Sequence, residues 1–221
     1  MKKYVIMLDI ILIAAFLNAD GYQAGDDNLL IMPTAYTMEA GQLYFSDYEL
    51  LFIDYHFAIT SNISLGCASL FPITTHFLET ITVRARFKYL DLNQFKSTLW
   101  TTFIVKPSIL VLGNVFSIGK KQTSLHAGFG SIFDPNSNGV NVFLGMLGIR
   151  LDASKSISLF GEFIHTSSGV SVSDGAFDGY LSFGIRFRGD KLSWEIGGIR
   201  PLSVNTSELL FFPIIKATIM L

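Results

Sequence analysis

The chain has 221 residues, of which 50% are hydrophobic and only 15% charged, with a formal net charge of −2. Typical soluble domains carry about 25% charged residues, so this composition covers a soluble surface poorly, and the near-neutral balance gives no reason to expect a nucleic-acid partner. Beyond the N-terminus no run approaches the roughly 20 apolar residues of a membrane helix, which leaves strands as the means of placing so much apolar side chain.

Residues 1–19, MKKYVIMLDIILIAAFLNA, pair a basic start (Lys2, Lys3) with an apolar core from Tyr4 to Leu17 and a small residue, Ala19. This is the pattern of a secretory signal peptide. Residues 20–41 read as an extended lead-in. Pro33 there has no N–H to give a ladder, and Gly41 permits a sharp bend into the first strand.

From residue 42 onward, segments of about ten residues alternate apolar and polar side chains, the signature of barrel strands. The spacing predicts strands over 42–47, 50–59, 62–71, 79–90, 95–105, 108–117, 122–131, 140–151, 156–166, 178–188, 191–200 and 208–220. Five tight turns separate them: Thr60–Asn62, Asp91–Gln94, Gly119–Lys121, Asp152–Lys155 and Arg188–Asp190. Longer connections fall at 72–78, 133–139, 167–177 and 201–207. Short turns on one rim and longer loops on the other are the bacterial outer-membrane arrangement. The expected fold is therefore all-β, a closed antiparallel transmembrane β-barrel of about twelve strands over 42–221. Asp47-Tyr48-Glu49 and Lys106-Pro107 carry weak turn signals, so ten strands is the competing count.

Alternation assigns the faces. In 79–90, Ile81, Val83, Ala85, Phe87 and Tyr89 share one face, and Arg84, Arg86 and Lys88 share the other. An Arg or Lys facing lipid at mid-depth costs about 2–4 kcal/mol, so the charged face is taken as the interior. The same reasoning places Asp54, His56, His126, Glu162, Arg186, Arg188, Glu195 and Lys216 inside, as a salt-bridged filling or as the lining of a narrow pore. Tyr36, Tyr44, Tyr48, Tyr55, Tyr89, Trp100, Tyr180 and Trp194 are candidates for aromatic girdles at the membrane interfaces. Cys67, the single cysteine, falls on the apolar face of its strand.

Sequence motifs for enzymatic or metal chemistry are sparse. The histidines show no metal-ligand spacing, and there is no Gly-x-Ser-x-Gly elbow. His165 beside Ser167 and Ser168 is the nearest approach to a catalytic pair. No catalytic residue, metal or cofactor is expected.

Met32-Pro33-Thr34-Ala35-Tyr36, then Glu39-Ala40-Gly41, then Phe57-Ala58-Ile59-Thr60-Ser61-Asn62-Ile63-Ser64-Leu65-Gly66 resembles a recurring pattern of poorly characterised outer-membrane β-barrel proteins of Bacteroidetes-like bacteria. Gly184-Ile185-Arg186-Phe187-Arg188-Gly189-Asp190-Lys191-Leu192-Ser193 is similar to their late hairpin, and Phe212-Pro213 to their last strand. Phe57-Ala58 stands where the pattern has Tyr-Gly, and Leu221 where such chains end in an aromatic. The resemblance implies an outer-membrane barrel, with lipid and the barrel-assembly machinery as partners, and carries no catalytic or binding residue. The expected function is a structural or narrow-pore outer-membrane protein with a charged interior. The alternatives are a soluble periplasmic lipid-binding barrel and a surface binding or adhesion protein using the loops at 133–139 and 167–177.

Overall fold

The computed structural model describes residues 27–70, 77–121, 123–135, 142–172, 175–202 and 211–221, with the backbone alone described at 168–172 and 175–177. The segment expected to be a signal peptide lies outside the described residues.

Twelve strands close into one antiparallel barrel: β1 Leu43–Tyr48, β2 Phe52–Ala58, β3 Ile63–Leu70, β4 Thr82–Leu92, β5 Phe95–Ile104, β6 Ile109–Lys120, β7 Thr123–Phe133, β8 Val142–Asp152, β9 Ile157–Val172, β10 Gly175–Arg188, β11 Leu192–Pro201 and β12 Phe212–Met220. Each strand pairs with its sequence neighbours. The cylinder is sealed where β12 meets β1, with Ser46 opposite Thr218 and Tyr48 opposite Lys216.

Twelve, not ten, is the count because β1 and β2 are separate strands. Glu49 and Leu50 both take positive φ (56° and 61°), and the Leu51 N–H donates to the Tyr48 carbonyl at 3.0 Å. That geometry usually calls for Asn or Gly, so a Glu-Leu pair hides the turn from a reading by residue type. The turn at 105–108 is likewise real, with Ser108 at φ 74° and its hydroxyl on the Val105 carbonyl. The expected long loop at 167–177 is instead a continuation of the β9–β10 hairpin, whose strands run to Val172 and from Gly175.

The five tight turns share a rim with the start of β1 and the end of β12, here called the near rim. There the Leu221 N–H donates to the Leu43 carbonyl at 2.9 Å. Outward positions are apolar around the wall: Phe57, Leu65, Val83, Phe87, Leu99, Leu112, Phe129, Leu147, Phe163, Phe183, Trp194 and Ile215 are all exposed. Inward positions are polar or small. Asp54, Thr98, Glu195, Lys216 and Thr218 are wholly buried.

An eight-stranded barrel is filled by its own side chains, and diameter grows with strand number. A twelve-stranded wall leaves space, and residues 27–38 occupy it. Leu29, Leu30, Met32 and Ala35 are buried to 1% exposure or less and pack on Val115, Met146 and Phe160 of the wall. Residues 27–38, part of the segment read from the sequence as an extended lead-in, thus form its core.

Candidate functional site

The lumen segment turns back on itself. Asn28 pairs with Pro33, and the Leu29 N–H donates to the Met32 carbonyl at 3.0 Å. Pro33 suits the flank of this turn because its missing N–H strands no ladder donor. The short turn leaves backbone groups inside the barrel that must find partners, and the wall supplies them. Glu162 on β9 accepts the N–H groups of Ile31 and Met32 on Oε1, at 2.9 and 3.0 Å, while Ser182 donates to Oε2 at 2.8 Å. Arg186 on β10 donates to the carbonyls of Asn28 and Leu29 at 2.8 and 2.9 Å. The Ala35 N–H donates to Ser117, and Thr98 donates to the Ala35 carbonyl. Arg86 on β4 donates to Oδ1 of Asn28. At the near rim Lys121 pairs with Asp27 at 2.8 Å, and Tyr36 donates to the Gly119 carbonyl at 3.0 Å.

Shape matches this polar register. A Cβ added at Gly148 would lie 2.4 Å from Cδ1 of Leu29 and 3.1 Å from Sδ of Met32. The wall is therefore hollowed where the segment's apolar side chains seat. Each such side chain contributes roughly 1.5–3 kcal/mol on burial.

The remaining interior charges form three groups. Asp54 on β2 binds Arg84 at 2.7 Å and lies 3.3 Å from His56, whose ring stacks on Tyr44 at 4.9 Å between centroids. Glu195 on β11 sits between Arg186 at 3.0 Å and Lys216 at 3.6 Å, and the Lys216 ammonium also lies 4.9 Å from the Tyr48 ring centre. Asp152 at the near end of β8 joins Arg188 at 2.8 Å and Arg150 at 3.3 Å. His126 is held by Ser117 and Ser124 through both ring nitrogens, at 2.7 and 3.0 Å. Lys88 stands at the near rim, where it and Lys96 share Asp91.

All eleven interior residues named from the sequence therefore lie on the lumen side, and the structure brings Arg86, Arg186 and Glu162 together on one object, the buried segment. The sequence reading missed Asn28, Thr98, Ser117, Arg150 and Asp152. Arg150 and Asp152 alternate with the outward Ile149 and Leu151, so the same two-residue period contains them. Nothing in residues 27–38 taken alone signals that they turn inward.

Several girdle candidates are corrected. Tyr44, Tyr48, Trp100 and Tyr180 share inward positions with Ser46, Arg86 and Ser182, and Tyr36 belongs to the buried segment. They supply aromatic surface and hydroxyl groups to the lumen rather than to an interface. Tyr89 stays on the outward face with Val83 and Phe87, 45% exposed, beside a bulge between Lys88 and Leu90. Its hydroxyl accepts from Ser97 at 2.7 Å and from Asn114 at 2.9 Å. Tyr55 and Trp194 do face outward.

His165 also lies on the outward face, with Nδ1 2.9 Å from the Asp178 carbonyl oxygen, while the Ser167 hydroxyl accepts the Phe143 N–H at 3.1 Å. Neither contact joins the two side chains. Among the described residues no group of three or more His, Cys, Asp or Glu is arranged to hold a metal.

No protein-family model matches the chain, and no curated protein does. Among solved structures it is similar to OmpF of Salmonella typhi in a complex with daunomycin, at 8% identity and a TM-score of 0.43. The likeness covers 77% of this chain and 61% of that one.

Proposed function

We propose that the chain is an integral outer-membrane β-barrel protein, secreted through its N-terminal signal and closed by its own residues 27–38, with a structural rather than open-pore role. The observation that carries this is the segregation of faces: apolar side chains cover the outside, and the ionised ones are enclosed around the buried segment. Transfer of that outer surface from water to lipid is favourable per unit area. A water-soluble lipid carrier needs the opposite, an apolar cavity inside a polar exterior. With the tight turns in the periplasm, the start of β1 and the end of β12 lie there as well. Its partners are outer-membrane lipid and the barrel-assembly machinery. The binding or adhesion alternative rests on loops at 133–139 and 167–177 that lie largely outside the described side chains.

Fractionation tests the reading. The protein should remain in the outer-membrane pellet through carbonate washing and migrate faster on gels before boiling than after. Release into the periplasmic soluble fraction as a detergent-free monomer would overturn it.

A further inference from the structure

Between the turn of the buried segment and the far rim lies a cavity of about 230 Å³, lined in part by Arg84, Arg86, Trp100, Val111, Met146 and Ile164. It holds about eight waters' worth of volume at roughly 30 Å³ each, so it suits a small organic molecule rather than a drug-sized one.

The charge on its wall is unbalanced. Arg84 is neutralised by Asp54 at 2.7 Å. Arg86 is only 8% exposed and donates to Asn28, a neutral amide, with no carboxylate partner among the described residues. Buried guanidinium groups ordinarily meet an anion, because an unpaired buried charge is costly. Four of its five N–H donors remain beyond the one given to Asn28. Beside it, the Trp100 indole Nε1–H is buried and has no acceptor among the described residues. The rest of the wall is mostly apolar: Ile31, Val111, Leu144, Met146 and Ile164.

We propose that this cavity binds a small organic carboxylate, its charged head on Arg86 and its short apolar body against Val111, Met146 and Ile164. A planar fork of donors matches a carboxylate in two-point contact, and the walls accept the chain behind it. The site depends on the barrel interior alone, not on where in the cell the barrel resides.

Trp100 and Trp194 are the only tryptophans, so Trp194→Phe leaves Trp100 as a sole reporter on the cavity wall. This variant, folded in detergent at neutral pH, is titrated with hexanoate, 1-hexanol and inorganic phosphate while Trp100 emission is followed. Hexanoate should give a saturable change that neither hexanol nor phosphate reproduces. Adding Arg86→Gln, which keeps an amide donor for Asn28 and removes the charge, should weaken hexanoate about tenfold. Val111→Phe, which fills the cavity and leaves Arg86 in place, should weaken it as well, and it decides the matter if the arginine variant does not fold. No saturable response to hexanoate, an equal response to hexanol or phosphate, or undiminished binding in the folded variants would overturn the proposal.

Discussion

Oε1 of Glu162 lies 3.0 Å from the backbone nitrogen of Met32, 130 residues away in sequence. One carboxylate on the wall thereby stands in for the ladder partner that a buried turn lacks. The same oxygen takes the Ile31 N–H, so the side chain satisfies two adjacent donors.

Removing it should be costly. Glu162→Ala leaves one buried and one part-buried N–H group without an acceptor, at up to about 1–3 kcal/mol each, so equilibrium unfolding in lipid vesicles should show a loss of roughly 2–6 kcal/mol. Glu162→Gln retains an acceptor oxygen and should lose less. Equal stability of Glu162→Ala and the parent would mean that the carboxylate does not anchor the segment.

The hollow at Gly148 gives a test free of charge effects. Gly148→Val pushes branched carbon against Leu29, whose Cδ1 lies only 2.4 Å from the place a Cβ would take. The variant should unfold at lower denaturant, and Leu29→Ala should restore part of the loss. Failure of the second change to compensate in a double-mutant cycle would separate the two residues.

Conductance addresses what the segment does. The parent barrel should be nearly silent in planar bilayers, and a refolded barrel lacking residues 27–38 should conduct. Among the described residues, and apart from the rim pair Lys88–Asp91, the strand interior holds six bases (Arg84, Arg86, Arg150, Arg186, Arg188, Lys216) against four acids (Asp54, Asp152, Glu162, Glu195). The opened lumen should therefore favour anions, and replacing Arg84 and Arg186 together by Glu should lower or reverse that preference in reversal-potential measurements.

The outer face makes a separate demand. Leu147 is 57% exposed near the middle of β8. In lipid, Leu147→Arg should cost about 2–4 kcal/mol, as for a cation at mid-depth. In a water-soluble barrel the same change is nearly neutral, so unfolding of the variant in vesicles distinguishes the two.

The wall of this barrel is largely legible in the sequence, because alternation of period two survives wherever one face meets charge and the other does not. Arg84, Arg86, Glu162, Arg186 and Lys216 all lie inward as their parity requires. The reading fails where local geometry departs from residue type. Glu49 and Leu50 form a turn without glycine. It also fails at inward aromatics such as Tyr44 and Trp100, because parity and not chemistry sets their side. The largest gap is the buried segment. Leu29, Leu30 and Met32 show no period, and their partners Glu162, Arg186 and Ser117 are at least 82 residues distant. Only closure of the cylinder brings them together.

Hydrogen exchange of residues 27–38 in the folded barrel, held in lipid nanodiscs, is the most direct measurement. The amides of Ile31, Met32 and Ala35 should exchange as slowly as those of the strands and should lose that protection in Glu162→Ala. Exchange within seconds in the parent protein, at the rate of an unstructured peptide, would contradict a lumen closed by its own chain.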